Sequence, residues 1–338
     1  MNILVIGLGS IGQRHIRNLR KLYGDTINLY AFRERNNSVF LDDNGHLRDG
    51  KIEDVYNVKS YFNIDKCFNE NKIDAVIVST ITAKHVMFAK IALQHGVAVF
   101  IEKPLSDTMD GIQEVVQLAR TKNLIVQIGF QMRHHPGIKI LKNLLERDAL
   151  GQVFSIDFLI GEKVEKMHQY EDYRKTYIVS KNLGGGIVLN QQIHEIDLML
   201  YLFGRPDCVF SSVGKLKNVD SDVEDYADSI YVFNSSEHMA VTMHSDFATY
   251  PPQRKLRVRA ADGFAEIDFL KASMIFRERD KDMQEIYFDN FQRNDMFLEE
   301  MEEFIQSVQD NRNHGVSLEE GVASLEIALE TLHAANKS

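Results

Sequence analysis

The chain opens "MNILVIGLGSIGQRHIRNLRKLYG", and this stretch constrains the fold more than any other. "NILVIG" (2–7) is a continuous apolar run, the pattern of a strand buried on both faces. "IGQRHIRNLRKLYG" (11–24) has helical periodicity and stops at Gly24. Between them Gly7, Gly9 and Gly12 form G-x-G-x-x-G, with Ser10 and Ile11 completing the turn. In a strand–turn–helix setting the first glycine makes the tight turn, the second admits a pyrophosphate, and the third lets helix pack on strand. The free N–H groups and dipole of the helix N-terminus then favour the anion. Glu34 follows Gly12 by 22 residues, at the end of the next strand, where an acid accepts bonds from a ribose 2′-hydroxyl. That favours NAD. Arg33 and Arg35 flank the acid and could pair with a 2′-phosphate, which keeps NADP open.

Strands and helices continue to alternate. "INLYAF" (27–32), "DAVIVST" (74–80), "VAVFIEK" (97–103) and "LIVQIGF" (124–130) read as strands, with "AKHVMFAKIALQHG" and "GIQEVVQLARTKN" as helices between them. Such alternation predicts a parallel sheet with right-handed crossovers. After about residue 150 the strand-like runs follow one another without helices, and Asp262-Gly263 between two of them is a hairpin signal. The expectation is α/β overall: a Rossmann dinucleotide-binding domain over 1–127 and an α+β domain with an open, largely antiparallel sheet over 128–338. Two helices close the chain. Their stripes are Phe297, Met301, Phe304 and Val308, then Leu318, Val322, Leu325, Leu329 and Leu332, the second opened by a Ser317/Glu320 capping box.

At 338 residues two domains are the natural division. The net charge is −10, from 39 basic and 49 acidic residues. That argues against a general nucleic-acid or anionic-membrane binder, whose footprint is basic. Cys67 and Cys208 are too few for a disulfide framework or a thiolate metal cluster. No basic leader and no spanning apolar run is present, so a cytoplasmic setting is expected.

Two stretches carry candidate chemistry. "FIEKPL" ends a strand with Glu102, Lys103 and Pro104. Ligands of open parallel sheets bind beyond the strands' carboxyl ends, so Lys103 is either a cleft amine of lowered pKa that exchanges a proton or a solvated loop lysine. "GGGIVLNQQIHEID" (184–197) sets Asn190, His194 and Asp197 four and three apart, which is one face of an α-helix. His194 would titrate near neutral pH unaided. Asp197 either holds the His194 ring or faces the interior. Arg133, His168, Tyr173 and Arg174 are polar loop groups able to hold a substrate's hydroxyl, carboxylate or phosphate. Adjacent His134 and His135 before a proline do not converge on one point, so no metal is expected.

Taken together, "GLGSIGQRHIRNL", "DAVIVSTITAKHVMFAKIALQHGVAVFIEKPL", "GFQMRHHPGIKILKNLLERDALGQV" and "DYRKTYIVSKNLGGGIVLNQQIHEIDLMLYLFG" resemble the glucose–fructose oxidoreductase / inositol dehydrogenase / MocA (Gfo/Idh/MocA) family along the whole chain. The resemblance implies an NAD(P)-dependent dehydrogenase or reductase that acts on a sugar-like alcohol or ketone. It implies Lys103 and His194 as catalytic residues and a cis Lys103–Pro104 bond. It implies Thr80, Thr82, His85 and Glu102 on the nicotinamide side, and a homodimer or homotetramer formed through the free face of the second sheet. Two positions depart from the family's pattern: Ile81 replaces a proline, and Asn190 replaces an aspartate common four residues before the histidine. An amide can orient or hydrogen-bond but does not take a proton. The proton role therefore falls on Lys103 and His194, with Asn190 positioning a substrate hydroxyl or the nicotinamide. The substrate reading is a nucleotide or acidic sugar of surface-glycan synthesis. The alternatives are an inositol or free-sugar dehydrogenase of catabolism, or a non-catalytic dinucleotide-binding sensor.

Overall fold

Ile3, Leu4, Val5 and Ile6 are all fully buried, which a strand achieves only when helices cover both faces of its sheet. The computed structural model describes residues 1–34, 39–42, 45–234 and 238–335. Six parallel strands form the first sheet: β1 (Asn2–Ile6), β2 (Asn28–Phe32), β3 (Val58–Tyr61), β4 (Ala75–Val78), β5 (Ala98–Glu102) and β6 (Val126–Gly129). Their spatial order is β3-β2-β1-β4-β5-β6. The order reverses between β1 and β4, the switch point at which such sheets open a crevice. Helix α1 (Ser10–Tyr23) springs from that point. Helices α2 (His85–Gln94) and α3 (Ile112–Lys122) complete crossovers.

After α4 (Pro136–Glu146) comes the second sheet. Its strands are β7 (Val153–Gly161), β8 (Cys208–Gly214), β9 (Tyr226–Phe233), β10 (Met239–Asp246), β11 (Gln253–Ala260), β12 (Phe264–Asp268), β13 (Ser273–Arg277) and β14 (Gln284–Tyr287). The order is β8-β9-β10-β7-β11-β12-β13-β14, and only the β10/β7 pair is parallel. On β9, Ala227, Ser229, Tyr231 and Phe233 are buried while Asp228 and Ile230 are exposed. This two-residue period marks a sheet covered on one face. The cover is α5 (Ile193–Phe203) with α7 (Leu318–Ala334); the Tyr231 and Thr331 hydroxyls meet at 2.9 Å. The capping box between Ser317 and Glu320 forms as expected.

Far along the chain from the 127/128 division, α6 (Arg293–Asp310) returns to the first sheet. Its Met301, Phe304 and Ile305 join Ile3, Val5, Ile16 and Phe100 in one apolar cluster. Val316 then accepts a bond from the Ile128 N–H at 3.0 Å. The apolar stripe of α6 covers the nucleotide-binding sheet, so the C-terminal segment completes the N-terminal core. No helix among the described residues is long and apolar enough to cross a membrane.

Candidate active site

The turn after β1 is shaped by two glycines the chain itself requires. Gly7 has φ +96°, and a Cβ there would lie 2.8 Å from the Ser79 carbonyl oxygen. A Cβ on Gly12 would lie 2.0 Å from the Gly7 carbonyl oxygen. Gly9 differs: a Cβ there would meet nothing within 4 Å. The space above Gly9 is open, and the first turn of α1 has no side-chain cap. Bare N–H groups beside an open cradle fit a dinucleotide pyrophosphate. Ser10 and Ile11 begin α1, and the Ser10 hydroxyl is met by the Tyr170 phenol from the second domain.

Past β2, Glu34 is held by Lys84, whose Nζ donates to both carboxylate oxygens at 2.6 and 2.5 Å. Arg33 is turned the other way into an ion pair with Glu53, which withdraws it from the 2′-phosphate role. Arg35 lies outside the described residues.

β5 is buried along its length and delivers Glu102 and Lys103 to the crevice. Glu102 turns toward α1, with Oε1 at 2.6 Å from His15 Nε2. The Lys103–Pro104 bond is cis. Lys103 Nζ donates to the main-chain carbonyl of Asn190 at 2.7 Å. Burial lowers its pKa to about 8 against the opposing pull of Glu102, with Arg254 and Arg293 adding to the fall. His85 ties the two neighbouring loops together, its ring nitrogens 2.8 Å from the Pro104 carbonyl and 3.1 Å from that of Thr80. Burial lowers its pKa. Thr80 bonds to the Ile81 carbonyl at 3.2 Å, and Thr82 is buried beneath Gly184.

The glycine run is a docking surface for chain, not a flexible spacer. Gly184 abuts Thr82, Gly185 abuts the Tyr177 and Ile178 carbonyls, and Gly186 (φ +115°) abuts the Glu224 carboxylate. The segment that follows is not the continuous α-helix its spacing predicts. Val188–Gln192 form a π turn, and α5 starts at Ile193. A π turn widens the ladder, a device common at functional sites. Here it presents the Asn190 carbonyl to Lys103, while the Asn190 amide donates to the Tyr177 hydroxyl at 3.2 Å.

His194 is buried, and its Nδ1 has no hydrogen-bond partner. Phe130 lies edge-on to its ring at 6.2 Å. Burial, then the charges of Lys103, Arg254 and Arg293, hold its pKa well below the usual histidine value. The expectation that it titrates near neutral pH is therefore corrected: the imidazole is neutral in the working range. Asp197 takes the second of its two readings. It faces inward, accepting from Arg133 Nε and Nη2 at 2.8 and 2.7 Å and from Ser324 at 3.3 Å. Arg133 also donates to Glu320 at 2.6 Å. That network spends Arg133 on the fold and withdraws it from the substrate set.

The remaining candidates sit on the segment between β7 and the π turn. The Tyr173 hydroxyl accepts from the Asp220 N–H at 3.2 Å. Arg174 is exposed and clasped by Asp172. His168 stacks on Tyr170 at 5.5 Å. None of the three is bonded to Lys103 or His194 among the described residues. The neighbouring histidines diverge: His134 lies 3.4 Å from both Glu299 and Glu303, while His135 is enclosed by Phe269, Phe288 and Phe291. Lys139 already occupies Glu299. Sequence reasoning missed Tyr177, His15 and the buried Arg254–Glu195 pair, whose Nη2–Oε1 distance is 2.6 Å. Arg254 comes from β11, 59 residues from its partner, and no local pattern announces it.

A parallel sheet with an open glycine cradle, joined to a second sheet whose covering helix faces the same crevice, defines a two-domain dinucleotide-dependent oxidoreductase. The oxidoreductase family with an NAD-binding Rossmann fold matches residues 1–130, and the GFO/IDH/MocA C-terminal domain matches residues 138–266. The chain belongs to the GFO/IDH/MocA family of NAD-binding oxidoreductases. It is 27% identical to a myo-inositol 2-dehydrogenase of Thermotoga maritima over 100% of this chain and 96% of that one. It is 23% identical to a UDP-N-acetylglucosamine 3-dehydrogenase of Acidithiobacillus ferrooxidans over 80% of this chain and 74% of that protein. A levoglucosan dehydrogenase solved with NADH superposes with a TM-score of 0.86 at 14% identity, covering 100% of this chain and 97% of the other.

Proposed function

We propose that this oxidoreductase interconverts a secondary alcohol and ketone on a sugar-like ring, with Lys103 exchanging the hydroxyl proton. The observation that carries the reading is the half-buried Lys103 amine on the Asn190 carbonyl at the mouth of the nucleotide crevice, with its pKa lowered to about 8. A general base is most effective when its pKa lies near the operating pH. NAD, when bound, supplies the hydride acceptor. The residues do the rest: Gly7, Gly9, Gly12 and the α1 N-terminus hold the pyrophosphate, and Glu34 holds the ribose. Thr80, Thr82, His85 and Glu102 fix the loops beside the nicotinamide. His194, neutral, hydrogen-bonds the reacting oxygen. Asn190 fixes Lys103 through its main chain and Tyr177 through its side chain. The open face of the second sheet, where Phe210 and Ile230 are exposed, is proposed as the contact between copies.

A nucleotide or acidic sugar is the proposed substrate, in keeping with the UDP-sugar dehydrogenase among the relatives. The full-length match to an inositol dehydrogenase supports a second reading, a neutral cyclic polyol. The test offers NAD⁺ with myo-inositol, levoglucosan, D-glucuronate and UDP-N-acetylglucosamine and follows absorbance at 340 nm. Turnover of one class, lost in Lys103→Met and in His194→Ala with NADH binding retained, is the expected result. Full activity in either variant would remove that residue from the chemistry.

A further inference from the structure

The charged acceptor beside Lys103 in the chain is turned away from it. Glu102 directly precedes Lys103, yet the amine bonds to an uncharged carbonyl, that of Asn190, at 2.7 Å. The Glu102 carboxylate goes instead to His15 of α1, with Oε1 at 2.6 Å from Nε2. His15 is fully buried, and the Phe100 ring stands edge-on to it at 5.3 Å. Phe100 and Glu102 are two apart on β5 and share a face. Both lie over Gly129 of β6, where a Cβ would come 2.9 Å from the Phe100 ring and 3.3 Å from Glu102 Oε2. His15 Nδ1 has no partner, so the bond from Nε2 is the ring's one hydrogen bond among the described residues. A carboxylate only accepts, so Nε2 carries the proton. Glu300 of α6 is also buried, and neither of its oxygens has a hydrogen-bond partner, so no bond from it competes for Glu102.

The choice of partner decides what the lysine can do. An ammonium on a carboxylate is held charged, because an opposite charge in contact favours the ionised form. Such a lysine does not take a proton from an alcohol near neutral pH. An ammonium on a carbonyl is held less firmly and gives its proton up more readily. The groups whose charges act on Lys103, or are acted on by it, are Glu102, Glu195, Arg254, Arg293, His85 and His194. Glu102 acts in turn on His85, Tyr177 and Glu300.

We propose that His15 is a positioning residue: by binding Glu102 it keeps the carboxylate on the α1 side of β5, so that Lys103 retains an uncharged partner and can exchange its proton. This rests on the dehydrogenase reading only for the use made of that proton; the contest between His15 and Lys103 for the carboxylate stands by itself.

The test titrates Lys103 directly, in the full chain. Isotope-labelled lysine gives a Cε resonance by NMR, assigned to Lys103 by its loss in Lys103→Met, and its shift with pH reads the protonation of the amine. In His15→Leu the freed carboxylate should take the ammonium, and the Lys103 midpoint should rise by about one pH unit or more. His15→Gln supplies an amide donor in place of the ring N–H and should keep the midpoint near the wild-type value. Adding Glu102→Gln to His15→Leu should cancel the rise. Glu102→Gln alone keeps an acceptor for His15 and should lower the midpoint by less than about one unit, because the carboxylate is not the partner of the ammonium. That last variant reads the proposal even where His15→Leu does not fold. The proposal is overturned by a midpoint that stays in place in folded His15→Leu, by a rise that appears equally in His15→Gln or survives Glu102→Gln, or by a larger fall in Glu102→Gln alone. With a substrate that is turned over, the alcohol-oxidation profile of His15→Leu should move upward with the resonance. Failure of the dehydrogenase reading would look different: the resonance would shift as stated while no probe sugar yields NADH.

Discussion

At the scale of single residues, the lysine and the asparagine explain one another. Lys103 is anchored by the main chain of position 190, not by its side chain, so the proposed proton transfer does not call for an aspartate there. With the His194 pKa held well below the usual histidine value, the proposed mechanism assigns the pH dependence to Lys103. In alcohol oxidation the amine must be neutral to take a proton, so kcat/KM should rise with pH through about 8 and then level. In ketone reduction the ammonium must donate, and the rate should fall over the same interval. Lys103→Met should lower turnover by about 10²–10⁴-fold, the usual worth of a positioned acid–base group. A profile turning near 6.5 would assign the proton to a histidine instead. Asn190→Asp adds a negative charge beside the amine, which favours the ammonium. Its oxidation midpoint should therefore move upward while activity persists; a variant that alone shows activity would mean the natural protein is not this enzyme. Lys103 was legible in the sequence because Glu-Lys-Pro ends a strand. Arg254, Glu195 and Tyr177 were not, because their roles arise from pairings across the fold.

At the scale of elements, the cradle separates glycines that serve the chain from the one that serves the ligand. Gly9 has φ −68° and ψ −174°, which alanine adopts freely, and its Cβ would enter empty space. Gly9→Ala should therefore melt within a few degrees of the wild type while NADH affinity, read by fluorescence titration, falls at least tenfold. Gly12→Ala drives a Cβ into the Gly7 carbonyl. Overpacking of that kind costs roughly 1–3 kcal/mol or more, so this variant should lose stability even without cofactor. Equal NADH affinity in Gly9→Ala and wild type would mean that nothing approaches the turn closely. The limits of sequence reading are also clearest here. Strand β1 and α1 follow from periodicity because each buries a continuous or striped apolar surface. Strand β3 went unread because it is a four-residue edge strand, half-covered, with Lys59 and Ser60 at its centre. The π turn went unread because Asn190, His194 and Asp197 fit an α-helical face on paper. The inserted width appears only once the glycines are packed against Thr82 and Glu224.

At the scale of the whole molecule, the chain divides its labour by returning α6 to the first sheet and leaving one face of the second sheet open. That open face is not uniformly apolar. His244 on β10 bridges Asp228 of β9 at 2.7 Å and Asp246 at 3.0 Å. The bond to Asp246 raises its pKa most, burial opposes, and Asp228 adds to the rise, bringing it to about 9. Asp246 is pushed up by burial, yet His244, Thr249 and the Ala248 and Thr249 N–H groups pull it down to about 2. The imidazolium thus joins two strands and, through Asp246, the turn that follows β10. A histidine whose pKa is raised in the folded state binds a proton more tightly there than when unfolded. Its stabilisation is therefore complete below about 6.5, the unfolded value, and is lost as pH rises through about 9. The side chain is partly exposed, so solvent and salt screen the gain. The measurable form is a difference. Wild type should melt above His244→Gln at pH 6, and the gap should close by pH 10. A gap that stayed constant across that range would mean the ring acts by packing, with no charge on it.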